Sequence, residues 1–228
     1  MARQTSQGKC NLCGEKFSKM AITRHLAKCQ EAQLKTSPAK GAPGRILHLA
    51  VEGRGSPYYW LHIEMPADAK LADLDSFLRK TWLECCGHLS AFTIAGQVYD
   101  VSPEADPWTG AKPKGMSAKL GDVLLPGVKF DHEYDFGTTT ELTLKVVSER
   151  EGAIKSKSVE ILARNEPPDI PCGVCGKPAT QVCTQCIYEG PAGWLCDEHA
   201  EEHACGEDYF LPVVNSPRVG MCGYTGEG

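Results

Sequence analysis

No stretch of this sequence approaches the ~18 consecutive apolar residues that a membrane-spanning helix needs, so no membrane partner is expected. The opening MARQTSQGKC has no apolar core of a secretory signal, which points to a soluble, unexported, cytoplasmic protein. Bulk disorder has no support either. Hydrophobic residues make up 42% and charged residues 23% of the 228, ordinary values for a folded chain with one sizeable core and small appendages. A secreted disulfide framework, which twelve cysteines would otherwise suggest, calls for a short exported chain.

What is present is a set of cysteines with histidines threaded among them. Nine of the twelve cysteines fall in two terminal clusters that also contain His25, His199 and His203. Disulfides have no use for imidazole, whereas zinc takes thiolate and imidazole together. The implied compartment is reducing.

Charge and punctuation divide the chain. Residues 1–40 hold eight Lys/Arg against Glu15 and Glu31, a net of +6, and the remainder carries −11. Only this N-terminal part suits a polyanion. The segment QLKTSPAKGAPG reads as a flexible tether at 33–44, and NEPPDIP at 165–171 marks a second break, with a linker at 166–171. The expected order is a finger at 1–32, a central domain at 45–165 and a Cys/His-rich module with its tail at 172–228.

In the finger, Cys10-x2-Cys13-x11-His25-x3-Cys29 has the ligand types and spacing of a tetrahedral structural zinc site. Phe17, Ile22 and Leu26 would be its whole core, too little for such a short segment to fold unaided, so the metal supplies the folding energy. CGEKFSKMAITRHLAKC resembles the ββα finger with a Cys-Cys-His-Cys ligand set, with a Cys-to-His gap one residue short. Lys16, Lys19, Arg24 and Lys28 are placed to touch phosphates, which makes nucleic acid a candidate partner of residues 1–32; sequence-specific reading by one finger is not expected.

At the other end, Cys172, Cys175, Cys183, Cys186, Cys196, His199, His203 and Cys205 supply eight ligands in four close pairs, enough for two closed sites. Alternating pairs would group Cys172, Cys175, Cys196 and His199 apart from Cys183, Cys186, His203 and Cys205; sequential pairing is the rival. The arrangement resembles cross-brace fingers such as the AN-one and B-box classes. With the finger, three zinc ions are expected. Glu198 and Glu201 lie beside ligands but are expected to be solvated, and Cys222 is expected to be a spare thiol.

The central region alternates with period two at 47–52 and 59–65 across a GRGSP turn, a hairpin, then changes to helical period from Leu71 through Leu74, Phe77, Leu78 and Trp82 to Cys85. Asp73 and Asp75 suit the helix dipole. Strands return at 91–95 and 97–101, a helical turn falls near 117–124, and a final pair spans 128–136 and 140–147. This order predicts an α+β fold, a β-grasp-like, mostly antiparallel sheet with one main helix, flanked by two small zinc-binding modules.

Two stretches, LADLDSFLRKTWLECCGHLSAFTIAGQVY and LGDVLLPGVKFDHEYDFGTTTELTLKVV, resemble the plasmid pRiA4b ORF-3-like family, whose hallmark Tyr-Asp-Phe-Gly turn is matched by Tyr134–Gly137. The resemblance covers residues 45–165 and implies a compact α+β domain with no established activity. Thr138, Thr139 and Thr140 stand where many relatives carry acidic residues after the glycine, so no catalytic residue is carried over.

On pattern, Val128, Phe130, His132, Tyr134 and Phe136 share one face of the last hairpin, Gly137 permits its turn, and Asp131, Glu133 and Asp135 form an acidic stripe opposite. His48 and His62 are expected directly opposite each other on the outer face of the first hairpin. Cys85 is expected to be buried as a small hydrophobe, and adjacent Cys85 and Cys86, with His88, are not expected to chelate one ion. The leading functional expectation is a zinc-binding, non-catalytic interaction protein with a protein partner and no identified small-molecule substrate. The rival is an enzyme using His48 and His62 or the acidic stripe.

Overall fold

The computed structural model describes residues 6–36, 43–105, 110, 112–153 and 158–226. The chain divides into two compact units, Met1–Phe77 with Leu89–Glu166, and Leu78–His88 with Pro167–Gly228. The elements of the first are β1 (Gln7–Cys10), β2 (Lys16–Ser18), α1 (Lys19–Thr36), β3 (Gly44–Gly53), β4 (Trp60–Pro66), α2 (Leu71–Leu78), β5 (Ser90–Ile94), β6 (Gln97–Asp100), β7 (Lys114–Gly115), α3 (Leu120–Val123), β8 (Lys129–Tyr134), β9 (Thr140–Gly152) and β10 (Glu160–Asn165). The second contains β11 (Gln181–Cys183), β12 (Trp194–Leu195), α4 (Asp197–Glu201) and β13 (Phe210–Pro212).

The fold is α+β. Its sheet is larger than a β-grasp: ten strands in the order β2-β1-β10-β4-β3-β9-β8-β5-β6-β7, antiparallel except for β6 with β7. Beyond the six expected strands, β7 and β10 add two and the finger adds two more. Gly8 pairs with Asn165 and Cys10 with Ala163, so β1 and β2 continue the central sheet beyond β10 instead of forming a tethered module. Helix α1 runs on to Thr36, four residues past the expected end of the finger, and β3 begins at Gly44; of the expected linker, residues 37–42 lie outside the described residues.

Alternation sorts the sheet into two faces. One carries Leu47, Leu49, Val51, Leu61, Ile63, Met65, Phe130, His132, Tyr134, Leu142, Leu144 and Val146, all buried. Helix α2 lies over it, since Asp75 accepts a hydrogen bond from His132 Nε2 at 2.7 Å with both groups buried. The sequence reads Asp73 and Asp75 together as acids suited to the helix dipole; Asp73 sits at the helix start, accepting from the Lys70 N–H at 2.8 Å, whereas Asp75 is turned into the core.

The other face carries His48, Trp60, His62 and Glu64, and these are buried as well. Period-two alternation predicts an outer, wetted face here. It is dry at β4 because α1 of the finger lies on it: Ile22, Leu26 and Cys10 pack with Trp60, Leu162 and Ala163. Gly8 is required by this closeness, because a Cβ there would collide with the Trp60 ring and the Arg164 carbonyl. The finger and sheet thus share one core.

The Tyr134–Gly137 turn departs from expectation. Asp135, at φ +65°, takes the left-handed position, and its Oδ1 accepts from the Gly137 and Thr138 N–H groups. Asp135 is therefore a buried turn cap and leaves the acidic stripe, while Phe136, beyond the end of β8, is half exposed instead of sharing the core face. Of the remaining stripe, Asp131 accepts from Thr143 Oγ1 at 3.0 Å.

Candidate metal centres

Among the described residues, four groups place four ligand atoms each within 4.8 Å of one another: Cys10, Cys13, His25 and Cys29; Cys172, Cys175, Cys196 and His199; Cys183, Cys186, His203 and Cys205; and Cys85, Cys86, His88 and Cys222. None of the twelve cysteines forms a disulfide.

The first two groups are built on the same turn. In the finger, the Cys10 N–H donates to the Glu15 carbonyl and the Gly14 N–H to the Cys10 carbonyl, at 2.9 and 2.8 Å. In the C-terminal unit, Cys172 donates to Lys177 and Gly176 to Cys172, at 2.7 and 2.9 Å. Gly14 and Gly176 sit at φ +80° and +75°, a left-handed corner that turns both sulfurs of each CxxC toward one point. The other two ligands of the first group come from α1, where His25 and Cys29 lie one helical turn apart on one face. Cys13 Sγ is 3.3 Å from His25 Nε2, and Phe17 stacks on the imidazole.

In the C-terminal unit the pairs alternate. Cys196 stands at the start of α4 and His199 within it, with His199 Nδ1 3.2 Å from Cys196 Sγ and 3.8 Å from Cys172 Sγ. Cys186 Sγ is 3.4 Å from His203 Nε2 and 3.8 Å from Cys205 Sγ. A tetrahedral zinc with bonds of about 2.3 Å to sulfur and about 2.0 Å to nitrogen sets S···S edges near 3.8 Å and S···N edges near 3.5 Å. These separations fall on that scale. Cys172, Leu195 and Cys196, with Ala200 and Phe210 against them, form a core cluster in which the ligands themselves are the larger part.

Crowded sulfurs leave a chemical signature. Burial, then the neighbouring sulfurs of Cys10 and Cys13, pushes the Cys29 thiol up to about 12. Cys186 rises likewise to about 12, through burial and then Cys205 and Cys183. Burial acts upward on Cys172 too, but backbone N–H donors at Cys175, Cys196 and Val174 outweigh it and bring it down to about 6. Thiolates packed this closely repel one another, and a divalent cation removes the repulsion while displacing their protons.

Two of the C-terminal acids have partners away from the ligands. Glu198 pairs with Lys177 at 2.9 Å, which holds its carboxyl below the usual range, and Asp197 accepts from Thr180 Oγ1 at 2.6 Å. Two of the finger's phosphate-contact candidates are also committed: Lys16 to Glu166 at 2.6 Å, and Lys19 to Glu52 and the Pro57 carbonyl.

The hairpin histidines meet, but not as the sequence predicts. The β3–β4 turn is centred one residue later than Gly55, so His48 faces Glu64 and His62 faces Ala50. The imidazoles meet on the diagonal, Nε2 of His48 and Nδ1 of His62 2.8 Å apart, and both are buried. Burial drives His48 down to about 4 and His62 down to about 3, so both are neutral at pH 7. Glu64 is held by Arg150 in a two-pronged pair at 2.7 and 2.5 Å. Neither this pair nor Asp131, Glu133 and Asp135 forms one of the four groups of converging metal ligands. Beside His62 a cleft of about 260 Å³ is lined by Lys19, Thr23, Glu52, Trp60, Lys129 and Lys145 among others.

The fourth group runs against expectation: Cys85, Cys86 and His88 converge with Cys222, which is not a spare thiol set apart, and Cys85 is only half-buried; local spacing could not show this, because Cys222 lies 136 residues from Cys86. A signal does exist in the sequence: Cys86-Gly87 and Cys222-Gly223 repeat the Cys-Gly step of Cys13-Gly14 and Cys175-Gly176.

No family profile matches the chain, and no curated protein matches it. Among solved structures, the chain is similar to the crystal structure of a protein of unknown function from Methanosarcina mazei Go1, at 20% identity and a TM-score of 0.45, over 53% of this chain and 69% of that one. Likeness at that level carries no functional argument.

Proposed function

We propose that this is a zinc-organised, non-catalytic interaction protein of the reducing cytoplasm, in which the finger cluster and the two C-terminal clusters hold three structural zinc ions. The observation that carries the reading is closure. Each cluster brings four protein ligands to one point, three thiolates and one imidazole, whereas a catalytic zinc keeps a position for water. The pairing of Glu198 with Lys177 at the solvent-exposed surface supports it, since that carboxylate is directed to a lysine. The central domain keeps its proposed kinship with the pRiA4b ORF-3-like family on the residues quoted for it.

The partner surface we assign is the cleft beside α1. With Lys19 and Glu52 paired to each other, Lys129 and Lys145 leave its lining net positive, which suits an anionic segment of a protein partner or, as the second reading, a nucleic-acid backbone. An enzyme centred on His48 and His62 has less support, because both rings are buried and neutral and bond each other.

Native mass spectrometry of the reduced protein tests the metal reading. Cys13→Ser, Cys175→Ser and Cys186→Ser should each lower the bound zinc by one; unchanged counts in all three would sink it. For the cleft, Lys129→Glu with Lys145→Glu should abolish binding of a short oligonucleotide or acidic peptide whose affinity falls steeply with salt. Deleting the finger is a poor substitute, because deletion uncovers Trp60 and His62.

A further inference from the structure

We infer that Cys85, Cys86, His88 and Cys222 form a fourth structural zinc site, one that fastens the C-terminal tail to the segment 78–88 within the second unit. This goes beyond the three-zinc reading and uses none of its ligands.

The ligand chemistry is that of the other clusters, three thiols and one imidazole with all four atoms within 4.8 Å. Cys85 and Cys86 sulfurs are 3.6 Å apart, Cys86 and Cys222 sulfurs 3.7 Å, and His88 Nε2 is 3.0 Å from Cys86 and 3.2 Å from Cys222. The sulfur separations far exceed a disulfide bond of about 2.05 Å and sit close to the edge of roughly 3.8 Å that four-coordinate zinc requires.

The backbone is arranged to bring these atoms together. Helix α2 widens into a π turn at Arg79–Leu83, closed by the Glu84 N–H donating to the Arg79 carbonyl at 2.8 Å. The Glu84 carboxylate then holds the ligand loop: Oε2 accepts from Arg79 Nε at 2.7 Å and Oε1 from the Gly87 N–H at 2.6 Å. Gly87 at φ +79° folds the chain back, which places His88 beside Cys86 and lets neighbouring cysteines, whose side chains otherwise diverge, face one point. Such wide helical turns are concentrated at functional sites.

The tail is pinned to that segment independently of the cysteines. Ser216 Oγ donates to the Trp82 carbonyl at 2.6 Å and accepts from the Arg218 N–H at 2.9 Å. The Arg218 side chain, fully buried, donates from Nη2 to Cys85 Sγ at 3.4 Å, which fixes that sulfur against the tail. Four residues on, Cys222 occupies the left-handed region at φ +46°, which a residue with a Cβ adopts at a cost. That strained residue delivers the last sulfur.

The test compares the reduced, zinc-loaded wild type with Cys86→Ser/Cys222→Ser by native mass spectrometry. The expected result is one zinc fewer in the variant; equal counts overturn the site. Anomalous scattering at the zinc edge from wild-type crystals does not depend on how the variant folds. A peak bonded to Cys85, Cys86, His88 and Cys222 is expected, and no peak there, or a Cys86–Cys222 disulfide, overturns it. Failure of the three-zinc reading would look different: a wild-type total short by the terminal ions, with the difference of one between wild type and variant intact.

Discussion

His48 Nε2 and His62 Nδ1 lie 2.8 Å apart across a diagonal of the β3–β4 hairpin, each ring bonded to the other and both shut away from water. Their protonation is depressed by burial to about 4 and about 3 from an ordinary 6.5. The unfolded chain therefore takes up protons on these groups before the folded chain does. Stability is fully present above pH 6.5 and falls as pH drops toward 4, by up to about 1.4 kcal/mol per pH unit for each histidine. Urea midpoints measured with saturating zinc between pH 7 and 4.5 should decline, and His48→Gln/His62→Gln should flatten that decline. An equal slope in the variant would show that the rings are not the source.

Removing Asp75 leaves His132 Nε2 without its acceptor inside the core, beside an Nδ1 that has no hydrogen-bond partner among the described residues. Asp75→Leu should destabilise the fold by about 1–3 kcal/mol, and adding His132→Leu should recover part of the loss. Denaturant midpoints of the two singles and the double give the coupling directly.

Glu64 is almost wholly buried and depends on the two-pronged contact from Arg150. Arg150→Met strands the carboxylate and should cost about 3–5 kcal/mol, more than the exposed Arg54→Met, whose partner Glu141 is solvated. Thermal melts of the two variants side by side would separate these cases.

Zinc loss from the finger should be felt in the sheet. Trp60 packs on Ile22 and Leu26, and its Nε1–H donates to Ser6 Oγ at 2.5 Å. Cys13→Ser should therefore red-shift tryptophan emission and lower the unfolding midpoint of the whole first unit. Trp60→Phe in the same background should remove the shift, whereas a finger that unfolds separately would leave Trp60 emission unchanged.

The fourth cluster includes no fully buried ligand, with Cys86 and Cys222 exposed, whereas each of the other three contains at least one buried cysteine. Its metal should be the first to leave under a chelator, and Cys86 and Cys222 the first thiols alkylated as it leaves. Mass spectrometry along a chelation time course reads both, and simultaneous loss of all ions would contradict the order.

The terminal clusters were legible because a chelate needs short local spacing: two residues between cysteines, three between ligands on one helical face. Alternation and helical period likewise disclosed β3 to β6, α2, β8 and β9 within a few residues. Tertiary structure alone decided the rest. Hairpin register turned on a shift of one residue in the turn centre, which changed which residue faces His48. Whether the second face of β4 is wet depended on α1 docking over it, and no property of β4 itself announces a helix from the other end of the sequence. Cys86 and Cys222 meet across 136 residues, with Ser216 and Arg218 anchoring the tail beside Trp82 and Cys85. Local chain geometry fixes what neighbours in sequence can do together; the convergence of distant residues is settled only when burial and packing choose among the conformations that local geometry permits.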